Sequence, residues 1–234
     1  MCDGVAGGMS TKHQQYAAIR TGDILFFSGW GRIALLLRTA TGSIYTHTGI
    51  AVWLNTSDGR RLYTYDCGPL RRKDAMNPGT KKAGIRLVDI DFMLKGYSKL
   101  AYRSINVVRN KKFYDTLRNF MREYHHKEFR PSMQFLTMHV RSSKPEGDGM
   151  YCTELCSTWL ERLGLLTNQE LQDKPHWKST PGYMAAEDYN IAFRGNTMVV
   201  FDEGHEENTR NGIAGLLVLT LMVYIFITIV LTRR

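Results

Sequence analysis

The run from Ile213 to Leu231, IAGLLVLTLMVYIFITIVL, constrains this chain more than any other segment, because it carries no charge from end to end. Roughly 19 residues rising about 1.5 Å each reach nearly across the ~30 Å hydrocarbon layer of a bilayer. A helix of that length in a protein core keeps a polar face, and this run has none. One transmembrane helix is therefore predicted over 213–231, closed by the short basic tail 232–234. Its partner is the lipid bilayer.

The start, MCDGVAGGMSTKHQQYAAIR, has no apolar run of signal-peptide length. The expected organisation is a flexible leader over 1–18, a folded domain over 19–203, a linker over 204–212 and the span. This predicts a single-pass, tail-anchored protein with its folded domain on the cytosolic side of a membrane (a virion or host membrane, if the source is viral). Arg210 before the span and Arg233-Arg234 after it differ too little to set orientation by charge.

At 234 residues, with 43% hydrophobic and 23% charged side chains, the chain can bury a proper core. Its net charge of +9 comes from 31 Lys+Arg against 22 Asp+Glu and suits anionic headgroups. The cations lie in small clusters (Arg71-Arg72-Lys73, Lys81-Lys82, Lys111-Lys112) without interleaved glycine-aromatic repeats, so no nucleic-acid partner is expected. Four cysteines in this length do not make a disulfide framework.

Asp23 to Phe27 reads as a short buried strand, and GRIALLLRTATGS as a helix closing near Gly42. THTGIAVWL and RLYTYDCG, split by NTSDGR, read as a hairpin, and LAYRSINVV as a further strand. Asn110 can cap a helix whose apolar face is Phe113, Leu117, Phe120, Met121 and Tyr124. A second helix begins near Tyr151, STPGYMAAEDY reads as a short proline-started helix, and TMVVFDE as a last strand. This order predicts an α+β fold with a mainly antiparallel sheet packed against helices.

Chemistry centres on GDGMYCTELCSTWLERLG, which holds Cys152 and Cys156. A thiol attacks as thiolate, and a helix start presents partial positive charge that favours it. Cys152 stands at that start, whereas Cys156 lies a full turn inside. Core packing accounts for either cysteine; if one is a nucleophile, it is Cys152. A zinc site from this C-x3-C with His125 and His126 is not favoured, because adjacent histidines on a helix point in different directions. A thiolate needs a base and an orienting group. His47, opening the strand THTGIAVWL, is the best base, and Asp66 at the end of RLYTYDCG is placed by the hairpin to orient it. The Cys152 backbone N–H is a natural oxyanion donor. Neither a metal nor an organic cofactor is required.

Three motifs in this order, Gly22-Asp23-Ile24, His47-Thr48-Gly49-Ile50 and Tyr151-Cys152-Thr153-Glu154-Leu155, resemble the circularly permuted papain-like thiol hydrolases. These belong to the NlpC-type superfamily; the YiiX/YaeF-like group is the most similar and the lecithin retinol acyltransferase group more distant. AYRS and Ser179-Thr180-Pro181 resemble further family segments, and the resemblance covers roughly residues 20 to 202. It implies a permuted papain-like fold, with the His strand before the Cys helix. Cys152 would be the nucleophile, His47 the base and Asp66 the third residue (where the family more often has glutamate), with Glu154, Asp23 and Gly49 in supporting places.

The expected function is a membrane-anchored cysteine hydrolase that cleaves an amide, peptide or ester bond through an acyl-enzyme. A lipid acyltransferase or phospholipase of the same fold, acting on an acyl-lipid substrate, is the alternative. A catalytically inactive membrane-associated module is the reading from a different class.

Overall fold

The computed structural model describes residues 11–130, 148–166, 176, 179–186 and 192–202. The predicted span over 213–231 and the linker over 204–212 lie outside them. Among the described residues no helix is long and apolar enough to cross a membrane.

Six strands form one antiparallel sheet: β1 (Ile24–Gly29), β2 (His47–Thr56), β3 (Gly59–Lys73), β4 (Lys81–Asp89), β5 (Tyr97–Ile105) and β6 (Phe193–Asp202), in the order β4-β3-β2-β1-β5-β6. Both faces are covered. Period-2 alternation sends Ile24, Phe26, Ile50, Val52 and Tyr65 to one face. There they meet α3 (Lys111–Tyr124), through Phe113, Leu117 and Phe120, and α4 (Cys152–Arg162), through Leu155, Trp159 and Leu160. Leu25, Phe27, Ala51, Trp53 and Leu62 face the other way, against Tyr16, Ile19 and the short α2 (Ile90–Leu94). A further helix, α1 (Gly31–Thr41), joins β1 to β2, and α5 (Pro181–Ala185) follows α4.

Several expectations hold at the level of single residues. Asn110 caps α3 by accepting from the Phe113 N–H at 3.1 Å. Gly42, at φ +63°, ends α1 in the left-handed conformation a glycine allows. Two differ. Ordered packing begins inside the segment read as a flexible leader: Thr11–Tyr16 is a 3-10 turn and Tyr16 is buried. The strand β4 and the helix after it were not anticipated, because Lys81, Lys82, Gly84 and Arg86 interrupt the apolar alternation that marks a strand.

Candidate active site

The site is built at the end of the sheet where β2 opens and β5 begins. Gly49 of β2, Asp66 of β3 and Arg86 of β4 stand directly opposite one another across three strands. His47 lies two residues before Gly49, on the same face. Its Nε2 meets the Asp66 carboxylate Oδ2 at 2.6 Å. A Cβ at Gly49 would lie 2.1 Å from the Thr64 hydroxyl and 3.3 Å from the Asp66 Cβ. Glycine at 49 therefore lets β2 and β3 approach closely enough for this contact. Tyr97 stacks on the imidazole, with ring centres 5.7 Å apart and planes 19° from parallel.

Asp66 is fully buried and held from both sides. Arg86, also buried, donates from Nε to Oδ1 at 3.2 Å and from its second terminal nitrogen to Oδ2 at 3.4 Å. Its remaining N–H groups meet the carbonyls of Gly68, Leu70 and Lys82. A side chain on Gly68 would collide with the guanidinium, at 2.5 Å from Cβ. Burial alone would raise the Asp66 pKa, but the Arg86 charge and the His47 hydrogen bond outweigh it and hold the carboxyl below its ordinary value.

Cys152 enters from α4, whose first turn is anchored before it reaches the thiol. Buried Glu154 accepts from the Tyr151 N–H at 3.4 Å and from Arg130 at 3.1 Å, and the Thr153 hydroxyl donates to the Ser179 carbonyl at 2.8 Å. The Trp159 indole donates to the Gly22 carbonyl at 3.1 Å, tying the helix to the approach of β1. Cys152, partly exposed, lies close enough to His47 for the two to interact electrostatically. Because Asp66 occupies Nε2, the nitrogen left for the thiol is Nδ1.

Burial disfavours the Cys152 thiolate, yet the His47 charge and hydrogen bond, with the Thr48 N–H and hydroxyl close to the sulfur, bring its pKa below the usual thiol value. For His47, burial opposes the imidazolium, but Cys152 and Asp66 together raise its pKa to about 9. The arrangement favours a thiolate–imidazolium pair. Cys156, one turn on and fully buried, is pushed upward by desolvation and stays a thiol. Cys67 is likewise raised well above its ordinary value, with its Sγ 3.2 Å from the Met150 carbonyl.

Cys152, His47 and Asp66 thus meet in one place, with Gly49 beside them. Glu154 does more than favour the helix dipole, since it is half of a buried ion pair. Asp23 is away from the thiol. Its carboxylate takes the N–H groups of Arg20 and Ile105, at 2.7 and 3.1 Å, and the Arg109 guanidinium, pinning β1 to the end of β5. Sequence reasoning missed Arg86, Tyr97, Thr48 and Arg130. Arg86 had one readable signal, a cation inside the apolar run Ile85-Arg86-Leu87-Val88. Among the described residues no group of three or more His, Cys, Asp or Glu side chains could hold a metal ion.

No protein-family model matches the sequence, and no curated protein matches it. Among solved structures, the chain is similar to the metalloprotein YiiX from Escherichia coli O157:H7 (DUF1105). The identity is 18%, over 78% of this chain and 88% of that one, with a TM-score of 0.42.

Proposed function

We propose that the chain is a cysteine hydrolase acting on amide, peptide or ester bonds. The observation that carries this reading is a partly exposed Cys152 thiol beside a histidine whose Nε2 is held by a buried carboxylate at 2.6 Å. In the proposed cycle the thiolate adds to the substrate carbonyl, and the oxyanion is met by the Cys152 N–H, unpaired within the helix at its first turn. The His47 imidazolium then gives its proton to the leaving amine or alcohol as the C–N or C–O bond breaks, leaving a thioester on Cys152. Water, deprotonated by the now neutral His47, cleaves the thioester and restores the pair. Asp66 keeps the imidazole oriented and stabilises its charge throughout.

An electrophilic thiol probe tests this directly: it labels the wild type and Cys156→Ala, and fails on Cys152→Ala. Equal labelling of Cys152→Ala would remove the assignment.

The apolar run over 213–231 and the net charge of +9 favour a second reading, acyl-lipid chemistry by the same thiol at a bilayer surface. Intact-mass spectrometry after incubation with phosphatidylcholine vesicles separates the two. An acyl adduct on Cys152 supports the lipid substrate, and its absence favours amide bonds. An inactive module would show Cys152 alkylating no faster than a free thiol near neutral pH.

A further inference from the structure

The β3–β4 hairpin carries cations where sheet geometry penalises them. Arg72 stands opposite Lys82, and Lys73 opposite Lys81. Like charges directly across a ladder repel. Among the described residues, neither Arg71 nor Lys81 has an acidic partner; Arg71 donates instead to the Lys81 carbonyl at 3.3 Å. Of these, Arg71, Lys81 and Lys82 border an open cleft of about 500 Å³ between the hairpin and the segment after α3. Arg71, Lys81, Lys82 and His126 line it, with Glu128 the carboxylate and Phe129 an apolar wall. A guanidinium and two ammonium groups around one concavity supply the fork and the point charges that a phosphate group takes.

Two links run from its lining toward the thiol. The carbonyl of Lys82, with that of Leu70, accepts from the guanidinium of buried Arg86, which holds Asp66. Phe129 pairs with Met150, two residues before Cys152.

We propose that this cleft is a binding site for a phosphate group, carried either by a lipid headgroup or by a soluble ester. Calorimetric titration of the detergent-solubilised full chain with inorganic phosphate, glycerol 3-phosphate and dihexanoyl phosphatidic acid tests it. Saturable binding is expected for all three. Affinity should fall at least tenfold in Arg71→Gln/Lys81→Gln and less than twofold in Lys112→Gln/Arg122→Gln, which removes the same charge from exposed positions on α3. Arg71 and Lys81 are exposed, so their double variant should melt at the wild-type temperature.

Phosphatidate binding tenfold tighter than glycerol 3-phosphate would assign a lipid headgroup; equal affinities would assign a soluble ester. No saturable binding by the wild type, or equal weakening in both double variants, would overturn the proposal. So would an octathymidylate that binds more tightly than every phosphate ester. Cys152→Ala keeps the cleft and should bind phosphate normally, which separates this site from the hydrolase reading.

Discussion

Among the described residues, two histidine–aspartate pairs lie in this fold, and they differ in what the second ring nitrogen meets. In the first, His47 gives Nε2 to Asp66 and is left with Cys152 on the other side. In the second, His125 at the end of α3 brings Nε2 to 2.9 Å from Asp74, within reach of the Asn77 amide at 3.1 Å, while buried Nδ1 has no hydrogen-bond partner. Both aspartates are held below their ordinary pKa against the cost of burial, Asp66 by Arg86 and His47, Asp74 by His125 and the Leu87 N–H. The second pair ties α3 to the turn after β3 and has no thiol to activate. A histidine–carboxylate contact is thus a structural link until a nucleophile reaches the free nitrogen.

The largest expected effect breaks the symmetry between the pairs. His47→Gln should slow probe labelling of Cys152 about 10²- to 10³-fold, the range a positioned acid–base group supplies. His125→Gln should leave labelling within twofold and lower the melting temperature instead. Equal losses would mean that neither pair is special to the thiol.

Stability separates them next. Arg86→Met strands the Asp66 charge in the interior and should cost about 3–5 kcal/mol in denaturant unfolding. The double variant Asp66→Asn/Arg86→Met should recover part of that loss, because no buried charge is left alone, while labelling stays slow. Asp74→Asn should cost only about 1 kcal/mol, since it weakens one contact with His125 and keeps an acceptor for the backbone N–H groups. Equal costs for Arg86→Met and Asp74→Asn would mean that losing Arg86 does not strand the Asp66 charge.

A smaller effect tests how the first pair is made. Gly49→Ala places a methyl against the Thr64 hydroxyl and should cost about 1–3 kcal/mol. Adding Thr64→Ala should return much of it; no recovery would point to a different obstruction. Cys156→Ala should be the mildest change, about 1 kcal/mol or less in stability with labelling within twofold. A larger loss of labelling would give Cys156 a part in the chemistry.

How much of this was legible beforehand depended on whether a residue's role was local. Cys152 could be read from its place at a helix start, and His47 from the strand it opens. Asp66 followed from hairpin geometry, although the turn is tighter than NTSDGR suggests: Thr56 already pairs with Gly59, which sets Asp66 opposite Gly49. Arg86 was not legible, because its meaning depends on β4 lying beside β3, and the lysines and glycine that open β4 hide the strand. Tyr97 and Arg130 escaped for the same reason, each acting through a contact distant in sequence. Asp23 was legible as a motif residue, but its work is to join β1 to β5 rather than to touch the thiol.

The central claim is that His47 holds Cys152 as a thiolate. It is tested most directly by the rate of Cys152 alkylation by iodoacetamide as a function of pH, read by peptide mass spectrometry. With the Cys152 pKa lowered and the His47 pKa raised to about 9, the ion pair exists between the two. The wild type should therefore show a rising limb well below that of a free thiol at about pH 8.5. A second change is expected near pH 9, where the imidazolium loses its proton. His47→Gln should lose both features and move the limb to higher pH, because the His47 charge no longer offsets the burial of the thiolate. A wild-type limb at or above that of free cysteine, unchanged in His47→Gln, would contradict the account.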